Sequence, residues 1–273
     1  MSKVIFITGA SSGMGKDSAK KLIKQGHRVY TAARRIEKMK DIEELGGHPI
    51  KMDVSIESDV QSAVDYIIKK EGKIDVLWNN AGYGLYGAVE NVTIEDAKKQ
   101  FDVNLFGLAN LTKKVVPFMR KEKSGTIINT SSMGGKMYTP LGAWYHATKH
   151  AVEGFSDCLR IELAPYNIKV VVLEPGLIST EFASVLYGPM VQNAKNTVYE
   201  NITNQAAKAT QDVLNNPKAS SPTSVISNTI SKIVNTNKPK TRYRVGKFAK
   251  PMVWMRTYLG DRIFDKILMS QFK

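Results

Sequence analysis

Short apolar runs alternate with stretches of helical periodicity from the start of this chain to about position 180. Lys3–Thr8 holds a continuous apolar run, as a strand buried on both faces does. Further strands are predicted at Arg28–Ala33, His48–Asp53, Ile74–Trp78, Gly125–Ser131 and Ile168–Leu173, and Thr241–Val245 can add a seventh. Helices are predicted from the glycine-rich turn after Thr8 to about Gln25, over Ile56–Lys70, over Thr93–Lys121 in two stretches, and from Tyr145 to about Leu163. Strands that alternate with helices in this way give an α/β chain: a doubly wound parallel β-sheet with helices on both faces and a helical C-terminal extension. After Thr180 the pattern changes. Glu181–Asn237 is polar and helical in places, and Asn215–Asn216–Pro217 to Ser221–Pro222 looks like a loop between two helices. From Pro251 onward Met255, Leu259, Ile263 and Ile267 recur at helical spacing, with Gly260–Asp261 ending one short helix and capping the next. The expected division is a core at 1–180, lid helices of the same domain at 181–240, and a last strand with a basic amphipathic tail at 241–273.

Composition narrows the class. At 273 residues and 42% hydrophobic, the chain can fill one sizeable core. A single cysteine, Cys158, excludes an internal disulfide and suits a reducing cytoplasm; its helical position reads as a small core residue. Met1–Ser2–Lys3 runs straight into the first strand without a signal peptide, and no apolar run approaches the roughly 18 residues of a membrane span. The expectation is a soluble, cytoplasmic protein. The net charge of +14 is concentrated in 238–273, where ten Lys/Arg face two acids. No zinc spacing, aromatic RNA-binding strand or long basic run accompanies it, so nucleic acid is not an expected partner. His27, His48, His146 and His150 form no metal-ligand cluster, and no metal is assigned.

The chemistry-bearing residues fall at strand ends. Gly9–Ala10–Ser11–Ser12–Gly13–Met14–Gly15 follows the first strand and opens a helix, which places backbone N–H groups and a helix N-terminus at a diphosphate. The second strand ends in Ala33–Arg34–Arg35, where an NAD-binding chain usually carries an acid for the ribose 2′-OH. An arginine there matches a 2′-phosphate, so NADP is favoured and NAD is the alternative. Asp53, followed by Val54, lies where adenine would sit, and Asn80–Ala81–Gly82 lies beside the adenosine ribose. Tyr145 and Lys149, at i and i+4 of one helix, share a face, so the ammonium is expected to lower the phenol's pKa. Ser132 can donate a hydrogen bond to a substrate oxygen. His146 and His150 turn off the Tyr145 face. Asn104, within a predicted helix, reads equally as structural.

Taken in order, these motifs resemble the short-chain dehydrogenase/reductase family over roughly residues 3–180. They are Thr8–Gly9…Gly13-x-Gly15, Asp53, Asn79–Asn80–Ala81–Gly82, Asn104, Ser132, Tyr145…Lys149 and Pro175–Gly176…Thr180. The resemblance implies a Rossmann-like fold and hydride transfer between a nicotinamide and a carbonyl or secondary alcohol. It selects Ser132, thirteen residues before the tyrosine, over Ser131. It also implies Tyr145 as general acid or base, Lys149 on the nicotinamide ribose, Asn104 breaking its helix and holding a relay water, and Pro175, Gly176, Ile178 and Thr180 at the carboxamide. Homo-oligomers packed through helices are expected. The alternatives are an NAD-preferring dehydrogenase and a non-catalytic dinucleotide sensor. Candidate pocket residues are mostly apolar or aromatic, which suits a lipophilic small-molecule carbonyl or alcohol: Tyr83, Leu85 and Tyr86; Met133, Tyr138, Leu141 and Trp144; and Val185, Leu186, Tyr187 and Met190. The tail stripe, which Met252, Val253, Trp254, Tyr258, Phe264, Leu268 and Phe272 accompany, is expected to close the pocket or a subunit contact; an anionic membrane surface is the lesser reading.

Overall fold

A computed structural model describes residues 2–216 and 218–270; the side chains of 183–187, 213 and 214 fall outside the described set. The expectations for Pro217 and Phe272, and for the side chains of Val185, Leu186 and Tyr187, therefore lie outside it. Seven strands form one parallel sheet: β1 (Val4–Thr8), β2 (Arg28–Ala33), β3 (His48–Lys51), β4 (Val76–Asn79), β5 (Gly125–Thr130), β6 (Ile168–Pro175) and β7 (Arg242–Val245). Their spatial order is β3-β2-β1-β4-β5-β6-β7. The chain builds outward from β1 to β3, then returns to β4 on the other side of β1. That reversal opens a crevice at the carboxyl ends of β1 and β4, where open α/β sheets bind ligands.

Successive residues of β1 feed opposite faces, as the period of two requires. Val4 and Phe6 pack with α3 (Glu57–Glu71) and α5 (Leu108–Lys121) through Val60, Val64, Ile67, Leu111 and Val115. Ile5 and Ile7 pack with α1 (Gly13–Lys24) and α9 (Ser224–Val234) through Ala19, Leu22, Ile226, Ile230 and Ile233. The remaining helices are α2 (Lys40–Glu43), α4 (Ile94–Phe101), α6 (Ala143–Leu163), α7 (Phe182–Ala194), α8 (Glu200–Asn215), α10 (Ala249–Tyr258) and α11 (Asp261–Met269).

The helical run after Thr93 falls in two stretches as expected, α4 and α5, parted by a π-helical segment at Asp102–Gly107. Three expectations change. Cys158 is exposed rather than in the core, because it shares the outward side of α6 with the exposed Gly154 and Ile161. The polar stretch after Thr180 is not all lid: α9 buries Ile226, Ile230, Ile233 and Val234 against α1 and is a core helix. The tail stripe is not one face either. Gly260, at φ +72°, separates α10 from α11 and resets the helical phase. Val253, Phe264 and Leu268 turn inward and pack with Met137, whereas Ile263 is exposed.

Candidate active site

The loop after β1 is shaped by close approach. Gly9 (φ +68°) and Gly13 (φ +54°) adopt left-handed backbone conformations that only glycine takes without strain. A Cβ on Gly15 would come within 2.6 Å of the Gly9 carbonyl oxygen and 2.7 Å of Asn80 Nδ2. Asn80 closes the turn from the side: its Nδ2 donates to the carbonyls of Thr8 (3.0 Å) and Gly9 (3.2 Å). The Asn80 and Ala81 amides both donate to Thr8 Oγ1 at 3.0 Å. Ser12, the N-cap of α1, makes no side-chain cap hydrogen bond, and the first turn carries no acid. Its amides are thus available to phosphate oxygens, so the loop suits a dinucleotide diphosphate.

The two arginines after β2 differ in placement. Arg34 is 76% exposed, with Nη1 4.0 Å from Asp53 Oδ2. Arg35 turns toward the glycine-rich loop: its Nη2 donates to Ser11 Oγ (3.4 Å) and lies 3.6 Å from Glu181 Oε2. Lys38 also reaches Glu181, at 3.9 Å. A polar cavity of about 560 Å³ adjoins this corner, lined by Ser11, Ser12, Gly13, Lys16 and Lys38 among others. Asp53 lies just past the end of β3 and accepts from the Ser55 amide (3.0 Å) and hydroxyl (2.6 Å). Val54 has its carbonyl against the π segment, where a Cβ on Gly107 would meet it at 2.6 Å. Gly82 lies near Asn104 and Lys149: a Cβ there would sit 3.1 Å from Asn104 Oδ1 and 3.7 Å from Lys149 Nζ.

β5 and α6 bring the polar set together. The Ser132 hydroxyl accepts from the Gly134 amide at 3.0 Å and lies close enough to the Tyr145 phenol to favour its ionised form. Tyr145 is buried between aromatic rings, with Tyr86 5.7 Å and Phe182 5.6 Å away by centroid. Lys149, one turn on, is buried and donates to the Thr130 carbonyl at 2.9 Å. Its Nζ stands 5.9 Å from the Tyr145 ring centroid. The expected depression of the phenol's pKa is therefore reversed. Burial raises it, the neighbouring Tyr86 raises it further, and the nearby Ser132 hydroxyl pulls it down. Lys149 is the group shifted down, to about 8, by burial, with Glu153 pulling it back up. Burial lifts the Tyr86 phenol to about 12.

Asn104 sits buried in the π segment, where the ordinary i→i−4 ladder is broken. Its Oδ1 accepts from the Tyr83 amide (3.0 Å), and its Nδ2 donates to the Tyr83 carbonyl (2.9 Å) and to Thr148 Oγ1 (3.1 Å). One side chain thus ties the loop after β4 to α6. On the far side, Gly176 donates its amide to Val245 O (2.8 Å), and a Cβ there would strike the Lys247 carbonyl. Ile178 bridges to Ser221, and Thr180 packs over Gly13, whose Cβ would lie 3.0 Å from Thr180 Cγ2.

His146, which sequence reasoning set aside, organises the loop between β5 and α6. Its ring is not turned wholly away from Tyr145: the two centroids lie 5.7 Å apart, edge to face. Its Nε2 accepts from the Thr139 amide (3.0 Å) and its Nδ1 donates to the Gly134 carbonyl (2.8 Å). Burial lowers its pKa, against the pull of the Gly134 hydrogen bond, and so favours the neutral ring. A Cβ on Gly134 would meet Nδ1 at 2.8 Å, and one on Gly142 would meet Cδ2 at 2.6 Å. The glycines of this loop make room for an imidazole, a role with no local signal in the sequence. Among the described residues, no three His, Cys, Asp or Glu side chains gather as a metal site.

Residues 3–187 match the short chain dehydrogenase family. A 3-ketodihydrosphingosine reductase of Bacteroides thetaiotaomicron is 45% identical over 181 residues, covering 66% of this chain and 65% of that protein. The structure of a serine dehydrogenase complexed with NADP+ superposes with a TM-score of 0.73 at 27% identity, covering 88% of this chain and 92% of that one. That of a 3-ketoacyl-(acyl-carrier-protein) reductase from Brucella melitensis complexed with NADH gives a TM-score of 0.65 at 31% identity, covering 80% and 92%. With the parallel sheet, the glycine-rich turn at its switch point and Ser132, Tyr145 and Lys149 at the ends of β5 and the start of α6, the chain belongs to the short-chain dehydrogenase/reductase family, Rossmann-fold oxidoreductases that interconvert an alcohol and a carbonyl with a nicotinamide dinucleotide.

Proposed function

We propose that this protein is an NADP(H)-dependent reductase of a lipophilic ketone. The observation that carries the reading is the buried Tyr145 phenol, beside Ser132 and with Lys149 one turn away. A phenol whose pKa is raised stays protonated, as a general acid must be before it donates. Ser132 donates to the carbonyl oxygen and Tyr145 delivers its proton there. Lys149 holds the nicotinamide ribose, and its lowered pKa readies it to resupply the proton. Asn104 fixes the π segment beside Lys149 and holds the water that carries protons to solvent. Gly9, Ser11, Ser12, Gly13, Met14 and Gly15 hold the diphosphate; Arg34 and Arg35 grip the 2′-phosphate; Asp53, Val54, Asn80, Ala81 and Gly82 flank the adenosine. Pro175, Gly176, Ile178 and Thr180 orient the carboxamide. When bound, the nicotinamide supplies the hydride, and the protein supplies orientation and the proton.

Support for a lipophilic substrate comes from an apolar cavity of about 650 Å³ lined by Ala88, Val89, Tyr138, Leu141, Tyr199 and Ile202. His146 also lines it, and the Tyr86 ring packs against both His146 and Tyr145. The 45% identity to a 3-ketodihydrosphingosine reductase points the same way. The exposed side of α6, with Gly154, Cys158 and Ile161, supports self-association through that helix. The test is a ketone series of increasing chain length, read by loss of NADPH or NADH absorbance. Turnover that favours NADPH and rises with chain length supports the reading; turnover confined to short polar ketones overturns it.

A further inference from the structure

We propose that α10 and α11 form a docking surface for an anionic lipid bilayer. These helices carry two apolar sets, and only one serves the fold. Val253, Phe264 and Leu268 are buried around Met137, with Met252 and Met255 packed against them. The second set faces outward: Trp254 is 55% exposed and Tyr258 71%, one turn apart with ring centroids at 5.7 Å, and Ile263 is 51% exposed. Met269 and Phe248 are also exposed. Indole and phenol rings of this kind, apolar in body and polar at the tip, favour the headgroup level of a membrane.

The charge on the same helices selects the kind of membrane. Lys250, Arg262 and Lys266 are exposed and make no salt bridge among the described residues. Asp261 pairs with Arg256 (2.6 Å), Asp265 keeps its charge while accepting from the Tyr138 hydroxyl (2.8 Å), and the four cations Lys250, Arg256, Arg262 and Lys266 outnumber these two acids. The surface is therefore positive and complementary to anionic headgroups. A second copy of the chain docking there would bring like charges together, which disfavours self-pairing through this face. Among the described residues no helix is long and apolar enough to cross a membrane. Helices of ten and nine residues with mixed aromatic and basic exposure lie in the interface plane instead.

Tyr138 joins this surface to the apolar cavity. Its ring packs edge-on against Phe264 (5.3 Å) and under Arg256 (5.1 Å), and the same residue lines the cavity. A lipid partitioned into the bilayer would reach the cavity along the docked side. Docking itself does not depend on the reductase reading, so the two are tested separately.

The experiment is flotation of the full-length protein with phosphatidylcholine vesicles, with and without phosphatidylserine, at low and high salt. The expected result is binding that requires phosphatidylserine and weakens with salt. Reversing Lys250, Arg262 and Lys266 to Glu should lower the vesicle partition constant by roughly fivefold or more per charge. Trp254→Ala with Tyr258→Ala should lower it further, while the melting temperature and NADP+ binding stay unchanged. If the aromatic double variant fails to fold, the charge reversals alone decide. Absence of binding, equal binding to neutral vesicles, or insensitivity to the reversals would overturn the proposal. So would sedimentation showing self-association that Trp254→Ala abolishes, since the face would then belong to a second copy.

Discussion

Gly15 and Phe264 are both positions where one substitution would be felt throughout the molecule, for opposite reasons. At Gly15 the constraint is backbone against backbone: a single added carbon would meet the Gly9 carbonyl at 2.6 Å. At Phe264 the constraint is side-chain volume: the ring is fully buried against Tyr138 in a small satellite cluster. The cofactor side, from β1 to Thr180, is held by close backbone approach and hydrogen bonds of the kind Asn80 and Asn104 make. The C-terminal side is held by which face of each helix turns inward. Backbone constraints permit few residue types, so they leave motifs. Packing constraints permit many, so they leave only a pattern.

The sharpest way to break the comparison lies on the cofactor side. Tyr145→Phe should cut turnover by about 10²–10⁴-fold while leaving the dissociation constant for NADPH nearly unchanged. Steady-state kinetics with a fluorescence titration of the cofactor would check it, and wild-type turnover would remove Tyr145 from the chemistry. Phe264→Ala should cost about 3–5 kcal/mol of stability, read by urea unfolding. Reported loss of NADPH affinity at temperatures where the variant is folded would contradict the independence of the two sides. Third in size, Arg35→Ala should weaken NADPH by about tenfold or less, since a charge-assisted hydrogen bond is partly screened at an exposed site. Arg34→Ala should weaken it less than Arg35→Ala, because Arg35 reaches Ser11 and Arg34 is the more exposed. NADH should be indifferent to both.

The smallest effect is a pH dependence. Folding lowers the Lys149 pKa from its ordinary value to about 8. Between about pH 8 and the ordinary lysine value the unfolded chain therefore binds more protons than the folded one, and stability rises with pH. Below pH 8 the cost of burying the ammonium is present in full. Tyr145, raised on folding, acts in the opposite sense only above its ordinary value near pH 10. Lys149→Met should flatten the rise between pH 8 and 10 in urea midpoints. An unchanged slope would place its origin elsewhere.

How much of this was legible in the sequence follows the same division. The strand runs, the Gly9–Gly15 turn and the positions of Asn80, Tyr145 and Lys149 were readable as candidates, because each pairs a residue type with a strand or helix end; only the family resemblance separated Ser132 from Ser131. The π segment around Asn104 was not readable from periodicity, since six residues of altered helix leave the apolar spacing nearly intact; only the family resemblance implied a local break. His146 was set aside because its partners, Gly134 and Thr139, are backbone groups of a loop whose path no local pattern encodes. Cys158 was misplaced because α6 has an outward side carrying small and apolar residues, which periodicity reads as core. In the tail the break at Gly260 was readable, but its effect on the apolar stripe was not: the positive φ there turns the second helix so that Phe264 and Leu268 pack inward and Ile263 faces out.

The edge strand β7 carries a consequence for the order in which the chain is made. Glu174 is fully buried on β6, and the cations that reach it among the described residues are Arg242 (3.3 Å) and Arg244 (2.5 Å) on β7. Arg242 also reaches the buried Glu153 at 3.1 Å. A chain growing from its N-terminus exposes β6 as an open edge long before those arginines emerge, and a buried carboxylate without its cation is strongly destabilising. That margin of the sheet must stay wet until β7 leaves the ribosome, so completion of the sheet waits on residues 242–245. Ribosome-stalled chains ending at 241 should remain sensitive to protease around β6, whereas chains extended past Lys247 with enough linker to clear the exit tunnel should become resistant.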